Sequence, residues 1–338
     1  MSKGDHLCVI GAGAWGTALA HVWCAAGNFE TVTLLARTET QAEALQNKRE
    51  NTRYLPGVAL APALHVTADL EPIKRANHLA FVTPAQTFSA LASQVEPFIS
   101  ANTTVVLCSK GIDAQTGRTI AETAATHIPG RTLAVLSGPS FAADVARGLP
   151  TAVTLATSGK GDDTTDIKEA VELATRFATP TFRIYGSNDV AGVEAGGALK
   201  NVMALAVGIC RGLNLGASAE AALTTRGFAE MMRFAIAMGG RAETLTGLSG
   251  LGDLILTCSG PQSRNFAYGM ALATNSITSD MPLAEGAKTA TVALKKAQAL
   301  GIDVPVITTV VHVLTKHITP RAAVDALMKR PLRAETST

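Results

Sequence analysis

The chain has 338 residues, 47% of them hydrophobic, which is long enough for two domains and too apolar for global disorder. Basic and acidic residues number 29 and 27, and aromatics make up 4%. That balance excludes the basic field of a nucleic-acid binder, and the scarcity of rings argues against base-stacking platforms.

The first apolar run, 6–29, contains no Asp, Glu, Lys or Arg. Gly11, Gly13 and Gly16 interrupt it, so a short strand (6–10), a tight turn and a helix (14–26) explain it better than a membrane span. A second strand is expected at 31–36 and a helix at 40–47. Residues 78–82 read as a strand, with Pro84 at the first position of the next helix. Further β-rich runs lie at 103–108, 133–137, 151–156 and 181–185. Helical stretches at 116–127 and 163–178 separate several of them. This rhythm predicts an α/β fold with a doubly wound, largely parallel Rossmann-like sheet. From about residue 189 the strand runs stop and Ala, Leu and Met stretches take over at 190–210, 217–238, 264–273, 287–300 and 305–316. The expected division is a dinucleotide-binding domain over 1–188 and an all-helical substrate-binding and catalytic domain over 189–338.

The five cysteines, at 8, 24, 108, 210 and 258, form no CxxC and no zinc-spaced cluster with histidine, and no HExxH occurs. The expectation is reduced thiols in a cytoplasm and no metal site.

Gly11-Ala12-Gly13-Ala14-Trp15-Gly16 follows the first strand and opens the first helix, the context a dinucleotide fingerprint requires. Gly11 allows the turn, Gly13 lets backbone approach a pyrophosphate, and Gly16 permits close helix–strand packing. The amides of Ala14 and Trp15 then face the phosphates. Arg37 follows the second strand, where NAD-selective sites usually carry an acid. An arginine there pairs with a 2′-phosphate, so the pattern favours NADPH and leaves NADH open.

Ser109-Lys110-Gly111 and Gly138-Pro139-Ser140-Phe141-Ala142 leave successive strands at the edge where such sheets bind ligands. Lys200 lies in the otherwise uncharged run 195–207. On a helix it shares a face with Met203, Ala204 and Val207, and Gly196 and Gly197 one turn earlier are expected to leave open space above the backbone. Partial desolvation favours proton release from an ammonium so placed, which points to proton transfer. Read alone, the same lysine also fits a surface side chain snorkelling over an apolar helix. The glycine-dense run 247–253 ends in the carboxylate Asp253. Ser263-Arg264-Asn265 starts a helix that Ser263 can cap, with amides, a guanidinium and a side-chain amide suited to a phosphate.

Taken together these segments resemble the bacterial-type NAD(P)-dependent glycerol-3-phosphate dehydrogenase family. The likeness rests on 11–20 (GAGAWGTALA), 109–111 (SKG), 137–142 (SGPSFA), 197–202 (GALKNV), 225–227 (TRG), 250–258 (GLGDLILTC) and 263–265 (SRN), in the family's order. It implies reversible reduction of dihydroxyacetone phosphate to sn-glycerol 3-phosphate, which supplies phospholipid backbones. It implies that Lys200 is the proton acceptor in the oxidation direction. Lys110, Gly138, Ser140, Lys200, Asp253, Ser263, Arg264 and Asn265 would contact substrate. Gly11, Gly13, Ala14, Trp15, Gly16, Arg37, Lys110, Ala142, Arg264, Leu283 and Glu285 would contact NADPH or NADH. The resemblance also implies a cytoplasmic homodimer without nucleic acid or membrane insertion. This chain departs from the family's usual pattern at Asp144, where the family has Glu, and at Ala287, Lys288, Thr289 and Ala290. Two rivals remain at this stage: a related two-domain dehydrogenase acting on a hydroxy acid, and an NADPH-binding sensor without turnover.

Overall fold

The alternating apolar and helical runs of the first half fold into one eight-stranded sheet. The computed structural model describes residues 4–157, 163–279, 281, 284–331 and 334. Two compact units result: Met1–Lys110 with Thr119–Val190, and Gly111–Arg118 with Ala191–Thr338.

In the first unit, β1 (His6–Ile10) leads through the glycine loop into α1 (Ala14–Ala26). Next come β2 (Thr31–Leu35), α2 (Glu39–Lys48), the antiparallel pair β3 (Glu50–Asn51) and β4 (Leu55–Ala59), and β5 (His65–Thr67). Then follow β6 (His78–Phe81), α3 (Ala85–Val95), β7 (Thr104–Leu107), α4 (Ile120–His127), β8 (Leu133–Ser137), α5 (Ala142–Ala146), β9 (Thr151–Thr157), α6 (Asp163–Phe177) and β10 (Phe182–Ser187). The sheet order is β10-β9-β8-β7-β6-β1-β2-β5. All its pairings are parallel except β8 with β9. The chain runs outward from β1 to β2 and returns to β6 on the other side of β1. That reversal puts the glycine loop at the switch point, where open α/β sheets bind ligands. Central strands read as unbroken apolar runs because both faces are covered.

Four helix starts differ from the sequence reading, two of them, at Glu39 and Glu285, by only one or two residues. Pro84 is the residue before α3 rather than its first residue. Residues 116–119 do not begin α4, because Asp113 accepts hydrogen bonds from Gln115 N at 2.8 Å and from Thr116 Oγ1 at 3.0 Å, which holds them in a turn. Thr119 then caps the helix in a reciprocal box with Glu122.

The second unit is helical. It contains α7 (Val190–Gly212), α8 (Ala217–Ala237), α9 (Ala242–Thr246), a single π-type turn at Leu248–Gly252, α10 (Asp253–Cys258), α11 (Arg264–Thr274), α12 (Glu285–Ala299), α13 (Pro305–Leu314) and α14 (Pro320–Met328). Residues 111–118 join this unit, where Lys296 Nζ donates to Gly117 O at 3.1 Å. By length and hydropathy α7 could cross a membrane, but 94% of its apolar window is buried, as in the core helix of a globular unit.

One core contact of this unit carries a pH dependence. Glu230 of α8 is 1% exposed and accepts from Val306 N at 2.6 Å and Ile307 N at 3.1 Å, capping the first turn of α13 from another helix. Burial pushes its pKa from 4.5 up to about 7, against the smaller lowering effects of those amides and Arg233. The folded state therefore holds this proton more tightly than the unfolded chain does. The stabilisation is fully present below pH 4.5 and is lost as pH rises through about 7. It amounts to about 3 kcal/mol across that window. Glu230→Gln should remove this slope from a plot of Tm against pH. Parallel wild-type and variant curves would refute the assignment.

Candidate functional site

In the first unit the fingerprint glycines act through sterics. Gly11 has φ +115°, and a Cβ there would stand 2.5 Å from Val82 O. A Cβ on Gly16 would stand 1.9 Å from Gly11 O, so only glycine lets α1 start this close to β1. Gly13 faces open space, with nothing within 4 Å of a Cβ, and it precedes α1 without a side-chain cap. The first amides of α1, those of Ala14 and Trp15, thus have no capping side chain. The Trp15 ring packs against the cluster of Ala18, Leu55, Val58 and Ala146.

Further along this edge, Lys110 Nζ donates to Gly138 O at 3.4 Å and Ser140 Oγ donates to the same oxygen at 3.1 Å. Lys110, Gly138 and Ser140 are thereby brought together at the carboxyl ends of β7 and β8. Thr83, Ser109 and Ser137, just beyond or at the ends of β6, β7 and β8, each carry a buried hydroxyl without a hydrogen-bond partner. An uncapped helix start beside orphaned hydroxyls at a switch point is the donor set a dinucleotide needs, so these residues fit the cofactor. Arg37 is exposed just after β2, and Thr38 caps α2 by accepting from Gln41 N at 3.3 Å. Two residues not singled out from sequence support the loop: Gln41 and Asn51 both donate to Ala12 O, at 3.2 and 3.1 Å. Their separation in sequence from the glycines hid that role.

In the second unit Lys200 is 8% exposed, and its ammonium forms an ion pair with Asp253, which is 0% exposed. It does not snorkel outward. The open space expected over Gly196 is absent. A Cβ there would stand 2.4 Å from Ser249 O, because the backbone of the π-type turn fills the groove and delivers Asp253 to Lys200. Thr257, one turn beyond Asp253, donates to Asp253 O at 2.6 Å and approaches Oδ1 at 3.4 Å. Its spacing of four from Asp253 on a helix was the available signal. Burial pushes the thiol of nearby Cys258 up to about 12, so it stays protonated and unreactive beside the pair.

Ser263 caps α11 by accepting from Phe266 N at 3.3 Å. Asn265 is buried and its Oδ1 accepts from Gly286 N at 2.9 Å, tying the first turn of α12 to that of α11. A Cβ on Gly286 would stand 2.4 Å from Asn201 O, so this pair of helix starts packs against α7 beside Lys200. Ser263, Asn265, Glu285 and the Lys200–Asp253 pair therefore occupy one neighbourhood of this unit. Arg264 is exposed at the same helix start. Leu283 lies outside the described residues.

Comparison with known proteins bears on both halves. Residues 6–162 match the model for the NAD-dependent glycerol-3-phosphate dehydrogenase N-terminus, and 189–325 match that for its C-terminus. A glycerol-3-phosphate dehydrogenase [NAD(P)+] from Bradyrhizobium sp. strain BTAi1 is 52% identical over 97% of this chain and 98% of its own. Its counterpart in Chelativorans sp. strain BNC1 is 47% identical over 99% and 100%. Among solved structures, glycerol-3-phosphate dehydrogenase from Coxiella burnetii superimposes with a TM-score of 0.88 at 35% identity, covering 96% of this chain and 99% of that one.

Proposed function

Because the chain belongs to the NAD-dependent glycerol-3-phosphate dehydrogenase family, we propose that its two half-sites divide the work of that family's reaction. The reaction is the reversible NAD(P)H-dependent reduction of dihydroxyacetone phosphate to sn-glycerol 3-phosphate, which feeds glycerophospholipid synthesis. The dinucleotide role falls to 1–188 and the substrate and catalytic role to 189–338.

When bound, the reduced nicotinamide supplies the hydride. The residues then manage charge. As the carbonyl is reduced, negative charge grows on its oxygen, and the Lys200 ammonium donates the proton that quenches it. In the oxidation direction the same amine accepts the proton. Asp253 orients that ammonium. The buried Lys200–Asp253 pair is the observation that carries this reading. Burying two charges costs several kcal/mol of desolvation, so such a pair is a poor choice for stability alone. Ser263, Arg264 and Asn265 hold the substrate phosphate at the positive end of α11. Lys110, Gly138 and Ser140 are assigned to the substrate from the first unit, and Lys110 also to the cofactor. Gly11, Gly13, Ala14, Trp15, Gly16, Arg37, Ala142, Arg264, Leu283 and Glu285 complete the cofactor assignment. The protein works as a cytoplasmic homodimer, with neither nucleic acid nor membrane insertion.

The test is to mix purified protein, NADPH and dihydroxyacetone phosphate and to follow NADPH absorbance. No consumption would leave a binding protein without turnover. Consumption with a hydroxy acid's keto form but not with the phosphate would favour the other dehydrogenase class. Cofactor choice gives a separate result. Arg37→Asp should weaken NADPH far more than NADH, since a pairing becomes a repulsion. Equal losses for both would remove Arg37 from the 2′-phosphate site.

A further inference from the structure

Beside Arg37 lies a cavity of about 290 Å³, between α2 and the turn that carries β3 into β4. Its walls include Arg37, Lys48, Arg53 and Tyr54, with Glu50 as the lining acid. Glu50 is engaged elsewhere, accepting from Gly57 N at 2.9 Å. The cavity is therefore net positive. Gln41 and Asn51 also line it, and both donate to Ala12 O, so its wall continues into the glycine loop.

The cations are not equivalent. Lys48 is the last residue of α2, whereas Arg37 precedes its cap. Eleven residues at a rise of 1.5 Å place their backbones roughly 16 Å apart along the helix, too far to share one phosphate readily. Arg53 is different. It sits on the opposing turn, and its guanidinium lies over the Tyr54 ring at 5.0 Å from the centroid. A guanidinium stacked on a ring keeps its in-plane donors available, and the ring restrains an otherwise floppy side chain. That preorganisation suits a planar, forked donor to a phosphate oxygen pair.

We propose that this cavity takes the adenosine 2′-phosphate end of NADPH and that Arg53 is a second specificity-determining residue, clamping the phosphate from the side opposite Arg37. The inference rests on the reading of Arg37 as a 2′-phosphate ligand. Lys48 contributes only to the surrounding field.

Titration calorimetry on the full chain with adenosine 2′,5′-bisphosphate and with adenosine 5′-monophosphate tests it. The ratio of the two affinities isolates the 2′-phosphate and needs no turnover. The wild type should favour the bisphosphate by roughly tenfold or more, and Arg53→Gln should remove most of that preference. Arg53→Lys, which keeps the charge and loses the fork, should fall between them. Lys48→Gln should change the ratio by less than about twofold, the scale of a screened distant charge. Thermal melts confirm that each variant folds, and a fold defect would lower both affinities together. If Arg53→Gln leaves the ratio unchanged while Arg37→Gln lowers it, Arg53 has no part and the Arg37 reading survives. If neither variant changes the ratio, both assignments fail. Equal loss of both ligands in Arg53→Gln also overturns the proposal, because it would place Arg53 against the adenine or the fold rather than the phosphate.

Discussion

Replacing Lys200 with methionine should lower kcat by roughly a hundredfold or more, the usual scale of general acid–base catalysis, while NADPH affinity stays nearly intact. Methionine keeps the length and apolar packing of the lysine stem and removes only the proton carrier. The substitution also strands the Asp253 carboxylate, which is wholly buried, and uncompensated buried charges cost about 3–5 kcal/mol. Activity could then fall through unfolding alone. The double variant Lys200→Met with Asp253→Asn separates the two causes, because it removes both charges. It should recover most of the lost Tm and none of the lost kcat. A single variant that keeps half the wild-type kcat, or a double variant that recovers rate along with stability, would reduce the lysine to a structural role.

Dihydroxyacetone, which lacks the phosphate, should be reduced with a kcat/KM several orders of magnitude below that of dihydroxyacetone phosphate. The phosphate is expected to meet the Arg264 guanidinium, the Asn265 side-chain amide and the first amides of α11, and charge-assisted contacts contribute about 1.5–3 kcal/mol each. The Asn265 oxygen is already committed to Gly286 N, so its NH2 end is what remains for the ligand. The reacting carbon is two bonds from the phosphate-bearing oxygen, so the same grip that binds the phosphate also aligns the carbonyl. Binding energy remote from the chemistry thus appears in the rate. Arg264→Ala should narrow the gap by harming only the phosphorylated substrate. NADPH affinity must be measured in the same variant, since Arg264 is also assigned to the cofactor. Equal rates on the two substrates in the wild type, or an unchanged gap in Arg264→Ala, would move the phosphate site elsewhere.

Local signals carried much of this protein. A glycine with positive φ at 11 and a glycine too crowded for any Cβ at 16 are both marked in the fingerprint, because turn and helix-start geometry is written within a few residues. Seven strands of the first unit showed as apolar or β-rich runs, whereas the short β3, β4 and β5 did not. Ser263 could be named as a helix cap from its place before an apolar helix, and it caps one. The helix start at 116–119 slipped where a side chain competed for backbone donors, as Asp113 does, and Pro84 stands one residue outside its helix because its ψ of 139° is extended.

The sequence by itself therefore determined the alternation of elements, the dinucleotide loop at the end of the first strand, and the presence of one lysine in an apolar helix. What it could not determine is what that lysine meets. Asp253 is 53 residues away, and it reaches Lys200 because the π-type turn packs into the groove that Gly196 leaves on α7. The same holds for Glu230, whose partners lie 76 and 77 residues on, and for Arg53, which shares a cavity with Arg37 through the packing of β3 and the turn after it against α2. Periodicity and capping depend on neighbours along the chain, whereas partners for buried charge depend on which helices pack. That choice is made by shape and volume summed over the whole core, and only the tertiary structure decides it.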